Sequence, residues 1–464
     1  MAGSHRSKNA PTRRKRGTDA RSGGRGRGKR VLLWSAAVLA FVILAGAGGV
    51  YWIYQKLNGN ITSATIDDKL GEDRPEDLSP GAKTILVAGS DTREGMDEYG
   101  AVEGMRSDTL MILHIAENRE WATVVSIPRD SWVEIPACDM GDGVMSEPHH
   151  AKINESYALG GINGDAGGAA ACTIRTLEQN TGLRIENFVS LDFLGFKDMV
   201  DALGGVEMCL DEPIDDVKAH VTLDAGCQTL NGEDALGFVR VRYSVGDGSD
   251  IGRIERQQEF MNALAERAQS KLTSPTSLYG FMDAVTKSLT TDPELASLDA
   301  LYNLATELQG VPKEKLTFIT VPNYPRELDV PTDKANVVWD YPATELLFTS
   351  LAKDEPITKE QLEEAAEAAP SPAEVRVRVL NGTGTTGQAA EVADRLRNLG
   401  FQVVSTGNAD PGTEVSTISY PEGLEGHAEV LGSRVPGAQT QQTTDDLPGV
   451  LTLTIGADFE GVRG

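Results

Sequence analysis

Three apolar runs, KTILVAGSD over 83–91, RSDTLMILHIA over 106–116 and WATVVSIPRD over 121–130, decide the fold class. Each is short, aliphatic and bounded by polar residues, which is how strands buried on both faces read. Helical patterns follow over Asp165 to Asn180, Phe193 to Leu203, Arg253 to Lys271, 276–289 and 294–309. The second of these closes on Gly204-Gly205, a helix stop. KLTFITVP at 315–322 then reads as a strand and TELLFTSLAKD at 344–354 as a closing helix. Strands alternating with helices predict an α/β or α+β domain over 83–353.

Beyond it, residues 354–373 are acidic and rich in Ala and Pro, and read as a linker. VRVRVLNGTGTTGQAAEVADRLRNLGFQVV at 375–404 has the pattern strand, turn, helix, strand, and LTLTIGADF at 451–459 supplies another strand. A small C-terminal α/β domain is expected over 374–464. Toward the N-terminus, residues 55–82 are polar, contain Pro75 and Pro80, and read as a stalk.

Val31 to Tyr54 carries no charge. At about 1.5 Å per residue it matches the roughly 30 Å core of a bilayer. Trp34 near one end and Tyr51, Trp52 and Tyr54 at the other suit the two interfaces. Residues 1–30 hold eleven Lys and Arg against Asp19 alone, leaving −36 for the rest of a chain whose total charge is −26. The positive-inside rule then keeps the tail 1–30 cytoplasmic, makes 31–54 a single transmembrane helix and puts the remainder outside the cell membrane. The basic tail suits anionic lipid, and the acidic remainder argues against nucleic acid as a partner. The four cysteines are Cys138, Cys172, Cys209 and Cys227. An even number outside the membrane predicts two disulfides. Three pairings exist; Cys209–Cys227 across a hairpin and Cys138–Cys172 tying a loop to a helix are preferred.

Polar clusters stand where the strands end: Gly89-Ser90-Asp91, Arg106-Ser107-Asp108 and Arg129-Asp130. Ligand sites in α/β sheets gather at such ends. Further on, VRVRYSVGDGSDIGRIERQQ at 239–258 places Arg240 and Arg242 two apart, one face of an expected strand, and Arg253 and Gln257 four apart, one face of a helix. Converging guanidinium groups suit a dense phosphate anion. Asp91 and Asp108 suit Mg²⁺, which takes one or two carboxylates plus phosphate oxygens. Singly, each feature also fits a plainer role, an Arg pair on a solvated edge or an Asp as a turn former.

GSDTR, RSDT, SIPRDSWV, AKINESYALGG, LDFLGFKDMVDALGGVEMCL, LNGEDALGFVRVRY and DIGRIERQQEF occur in this order over about 83–353. Together they resemble the LytR–CpsA–Psr family, and the terminal unit resembles the LytR C-terminal domain. The resemblance implies a mixed central sheet flanked by helices. It implies a membrane-anchored phosphotransferase moving teichoic acid, capsule or arabinogalactan from a polyprenyl-pyrophosphate carrier to peptidoglycan. It implies that Asp91 and Asp108 bind Mg²⁺. Arg129, Arg240, Arg242 and Arg253 would hold the pyrophosphate with Gln257 beside them, Arg106 would line the site and Asp250 would orient the arginines. Lys152 and Asn154 would support it less directly. A general base is expected on chemical grounds, with Asp91 and Asp108 both open. Phe188, Leu191, Phe193, Leu194, Phe196, Met199 and Val200 are candidates to line a lipid tunnel, or else ordinary core.

Gly382, Gly384 and Gly387 fit a dinucleotide fingerprint with Asp410 beyond, but the unit is too short for a full Rossmann fold, so a tight turn is expected. His149-His150 reads as an exposed loop pair. Ser90 and Ser126 lack a nucleophile elbow, which excludes a serine hydrolase. The rival functions are a pyrophosphatase acting on the same lipid and a non-catalytic wall-binding or regulatory protein.

Overall fold

The computed structural model describes residues 47–90, 105, 107–141, 143–217, 219–241, 250–271, 275–367, 370–444 and 447–463. The expectations for Asp91, Arg106 and Arg242 fall outside them. The chain divides after Lys56, and the unit from Leu57 onward holds both folded domains. Residues 47–58 form helix α1. Among the described residues no helix is long and apolar enough to cross a membrane, and 31–46 lie outside them.

The chain continues through β1 (Thr62–Ser63), α2 (Asp67–Leu70), β2 (Lys83–Ser90), β3 (Ser107–Ile115), β4 (Ala122–Ile127), β5 (Trp132–Ile135), β6 (His149–Lys152), α3 (Asn154–Gly160) and α4 (Ala166–Thr181). Then come β7 (Asn187–Asp192), α5 (Phe193–Ala202), β8 (Val206–Leu210), β9 (Ile214–Asp216), β10 (Val221–Leu223), β11 (Gly226–Leu230), α6 (Gly232–Arg240), α7 (Asp250–Lys271) and α8 (Pro275–Ser288). The domain ends with β12 (Leu289–Thr291), α9 (Leu298–Gly310), β13 (Leu316–Thr320), β14 (Asn323–Pro325), β15 (Val337–Trp339) and α10 (Tyr341–Ala352). After α11 (Lys359–Glu367), the C-terminal domain comprises β16 (Arg376–Asn381), α12 (Gln388–Asn398), β17 (Gln402–Asn408), β18 (Thr417–Tyr420), α13 (Glu425–Arg434), β19 (Gln439–Gln442) and β20 (Leu451–Ile455).

Seven strands make one mixed sheet in the order β1-β12-β7-β2-β3-β4-β13. β7 and β2 run parallel, β2, β3 and β4 are antiparallel neighbours, and β13 is parallel to β4. Ile85, Leu86, Ile112, Ile115 and Val125 are buried in the central strands, as the unbroken apolar runs require. Helix α4 lies on the main core; its start is capped by Asp165, which accepts from the Gly168 N–H, and it stops at Gly182 in the left-handed region. A second core unites α5, α6 and α7 through Val200, Phe238, Phe260 and Leu264. The disulfides are Cys138–Cys172, joining a loop to α4, and Cys209–Cys227, a cross-strand pair of β8 and β11.

Segments that read as connections take part in packing. In the expected stalk, Ile66 and Leu70 are buried in the main core. In the acidic linker, Ile357 and Leu362 do the same, because α11 turns its few apolar side chains inward while its acids face water. His149 and His150 are not a loop pair but belong to β6, paired with β5.

The C-terminal sheet has the order β17-β16-β20-β18-β19. Gly387, at φ 88°, precedes α12, and the glycine run forms a turn between β16 and α12. This domain docks on the larger one through arginines. Arg326 stacks on Trp132 at 4.8 Å, pairs with Asp333 and donates to the Asn398 carbonyl. Arg395 lies 3.4 Å from Glu134, and Arg434 covers the Tyr341 ring at 3.6 Å.

His150 stacks on Trp132 beneath this joint. Burial, then the positive charges of Arg395, Arg326 and Arg434, push its pKa down to about 4. A depressed base contributes stability that is present above its unfolded pKa, 6.5, and lost as pH falls through that value toward 4. Urea denaturation of His150→Phe should therefore lose roughly 2–3 kcal/mol less than the parent between pH 7 and pH 4.

Candidate functional site

The candidate site forms where β2, β4 and β7 end and β3 begins. Register fixes this: Ser90 stands opposite Asp192 on one side and Ser107 on the other. A bulge between Gly89 and Ser90 re-aims the strand at that point. Ser107 Oγ sits within hydrogen-bond reach of the Gly89 carbonyl, 2.9 Å, and the Thr109 carbonyl, 2.8 Å. The next residue, Asp108, is half-buried, and its Oδ1 accepts from Arg129 Nη1 at 2.6 Å. A short charge-assisted pair of this kind, partly shielded from water, holds better than an exposed one.

Arg129 follows β4 in a loop held from several directions. Ser131 Oγ donates to the Pro128 carbonyl at 2.6 Å and accepts from Trp339 Nε1 at 2.9 Å. The Arg129 carbonyl accepts from the Asn154 N–H at 3.4 Å, and the Asp130 carbonyl from the Val337 N–H at 3.1 Å. Asp130 Oδ1 accepts from Lys152 Nζ at 2.7 Å, and Lys152 also donates to the Ala335 carbonyl at 3.0 Å. Lys152 and Asn154 thus brace the loop that carries Arg129. Tyr157 and Ser190, buried behind it, share a hydroxyl contact of 2.9 Å.

Arg240 corrects one expectation. It does not lie on a strand with Arg242; it is the last residue of α6, a helix capped by Asn231, which accepts from the Asp234 N–H at 2.9 Å. Ala235 and Phe238, one helical turn apart, are both buried, and only from Val241 does the backbone extend. The valine-arginine alternation conceals a helix end. The Arg240 guanidinium lies 5.3 Å from the centre of the Phe193 ring. Phe193 opens α5 directly after Asp192, so Arg240 belongs to the same end of the sheet as Ser90 and Asp108.

Helix α7 spans Asp250, Arg253 and Gln257, which places 253 and 257 one turn apart; their side chains lie outside those described. Arg256, in the same run, escapes a reading of the sequence. It is 9% exposed and its Nη2 donates to the Val241 carbonyl at 2.6 Å, fixing the chain between Arg240 and Arg242. The expected tunnel set divides: Phe188 is buried in the main core and Val200 in the second, while Leu194 is 48% exposed. Phe188 and Val200 are therefore core residues of different clusters.

Asp192 accepts from the Gly195 N–H at 2.6 Å, and burial raises its pKa. Asp108 gives Oδ1 to Arg129. No cluster of three His, Cys, Asp or Glu side chains occurs among the described residues. Of the two expected metal ligands, Asp108 is described and is ion-paired with Arg129, and Asp91 lies outside the described residues.

The LytR–CpsA–Psr family model matches residues 53–350. The chain belongs to that family. A second model, described as LytR cell envelope-related transcriptional attenuator, matches 374–459. The cell wall biosynthesis protein LcpA of Corynebacterium glutamicum is 30% identical over 89% of this chain and 82% of its own. The polyisoprenyl-teichoic acid–peptidoglycan teichoic acid transferase TagT of Bacillus subtilis is 30% identical over 61% of this chain and 84% of its own. Among solved structures, the LytR-Csp2A-Psr enzyme from Actinomyces oris has a TM-score of 0.46 and 22% identity, covering 63% of this chain and 96% of that one.

Arg256→Met should leave the Val241 carbonyl without its charged donor and cost about 1.5–3 kcal/mol in chemical denaturation, with Arg256→Lys recovering part of the loss.

Proposed function

We propose that this protein transfers a glycopolymer from a polyprenyl-pyrophosphate carrier to peptidoglycan, acting as a phosphotransferase of cell-wall assembly. The observation that carries the reading is the cationic strand end, with Arg129 fixed by Asp108 and Arg240 brought over Phe193. Family membership and the wall-polymer activities named for its relatives support it.

In this reaction an oxygen of the acceptor hydroxyl attacks the phosphorus that carries the glycopolymer. The bridging P–O bond breaks, polyprenyl phosphate leaves with the electron pair, and the hydroxyl proton passes to a site carboxylate, Asp91 or Asp108. Arg129 and Arg240 bind the diphosphate oxygens and neutralise charge as it moves onto the leaving phosphate. The family resemblance assigns Arg242, Arg106, Arg253 and Gln257 to the same grip and gives Asp250 the role of orienting the arginines. Asp108 holds Arg129 through a short ion pair, and Lys152 steadies the loop that carries it through Asp130. Mg²⁺, held by Asp91 and Asp108, would supply further neutralisation of the diphosphate.

The uncharged stretch 31–54, preceded by the basic tail, would anchor the chain in the cell membrane with its bulk extracytoplasmic. This retains the enzyme beside a substrate whose lipid never leaves the bilayer. The two disulfides agree with an oxidising compartment.

With lipid-linked polymer and peptidoglycan as substrates, Arg240→Ala should lower transfer by about 10²-fold or more without changing the unfolding midpoint. Wild-type turnover in that variant contradicts the site. Release of free polymer at the same rate with and without peptidoglycan contradicts transfer and favours hydrolysis.

A further inference from the structure

A cavity of about 220 Å³ lies where the two domains meet. Its wall includes Tyr324 and Asp340 from the catalytic domain, Pro370 and Pro372 from the connecting segment, and Arg434 from α13. It has room for about seven waters, or for one six-membered ring with its hydroxyl groups.

The polar groups of this wall are unusual in their partners. Asp340 precedes α10, yet its side chain makes no capping bond there. It is half-buried, and burial pushes its pKa up to about 6 while Arg434 draws it down. Arg434 is 1% exposed. Its Nη2 donates to the Trp339 carbonyl at 3.1 Å, but Nε and Nη1 have no hydrogen-bond partner among the described residues. Leaving polar groups half-satisfied at a joint is costly, and folds retain such groups where a ligand completes them. Most of the rest of the wall is ring surface, from Tyr324, Tyr341 and the prolines. Tyr324 is held by its hydroxyl, which donates to Asp329 Oδ2 at 2.7 Å, and the two prolines are rigid by construction.

A carboxylate with open acceptor oxygens, set among aromatic and proline faces, matches one kind of chemistry. Paired hydroxyl groups donate to the two carboxylate oxygens, and a face of C–H bonds packs on the rings. We propose that this interdomain cavity is a glycan subsite that takes one neutral pyranose ring of a polysaccharide strand. The inference is independent of the transfer reaction, because it requires binding alone. It also gives the C-terminal domain a role, since the subsite exists only when both domains and their connection are present. Asp340 lies three residues beyond Val337, whose N–H bonds the Asp130 carbonyl, so a strand held here lies on the backbone that supports the Arg129 loop.

The test is calorimetric titration of the purified full-length chain in detergent with chitotetraose and, separately, maltotetraose. Saturable binding of at least one tetrasaccharide is expected, weakened at least about tenfold in Asp340→Asn. A thermal melt of Asp340→Asn confirms that the variant is folded at the titration temperature. Leu328→Trp, at a 65% exposed position on the cavity rim, should block binding without touching either charged group. Arg240→Ala should bind as the parent does, which separates this subsite from the diphosphate site. Absence of saturable binding to both sugars overturns the proposal. So do equal affinities in the parent and both cavity variants, and so does loss of binding in Arg240→Ala.

Discussion

The contact between Arg129 and Asp108 joins the end of one central strand to the start of its neighbour. An arginine free to wander would lose side-chain entropy on meeting a phosphate; one already extended by a carboxylate loses less. The surrounding structure serves that geometry. Lys152 offsets the charge of Asp130, Trp339 and Ser131 pin the loop, and the parallel pairing of β2 with β7 delivers Asp192, Phe193 and through them Arg240 to the same place. The buried cores supply stability, but their functional role is positional.

Much of this is legible in the sequence because the physics is local. Unbroken aliphatic runs specify the central strands, and apolar periodicity marks the helices that the structure caps with Asp165 and Asp192. The preferred cysteine pairs match what a hairpin and a loop beside a helix allow. What is illegible depends on tertiary context. Nothing in VRVRY reveals that Phe238 is buried as part of a helix, so the alternation points Arg240 to the wrong element. Arg256 looks like any surface arginine on α7 until its contact with the Val241 carbonyl is seen. The burial of Ile66, Leu70 and Leu362 likewise follows from partners far away in the chain.

The joint between the domains obeys a different rule. Arginines cross it: Arg326 donates to the Asn398 carbonyl, Arg395 approaches Glu134 and Arg434 lies over the Tyr341 ring. Guanidinium tolerates such burial because it is weakly hydrated and planar. Burial and the neighbouring arginines together push the His150 pKa down, whereas at Asp340 burial raises the pKa and Arg434 opposes that rise. The C-terminal domain is therefore coupled, through β5 and β15, to the loop that carries Arg129.

The convergence of arginines on one diphosphate is tested most directly by a crystal structure of the protein with a short polyprenyl pyrophosphate and Mn²⁺ in place of Mg²⁺. The account predicts diphosphate oxygens within about 3 Å of the guanidinium groups of both Arg129 and Arg240. It also predicts an anomalous peak beside the second oxygen of Asp108. A diphosphate bound elsewhere on the molecule, or one touching neither arginine, would contradict it.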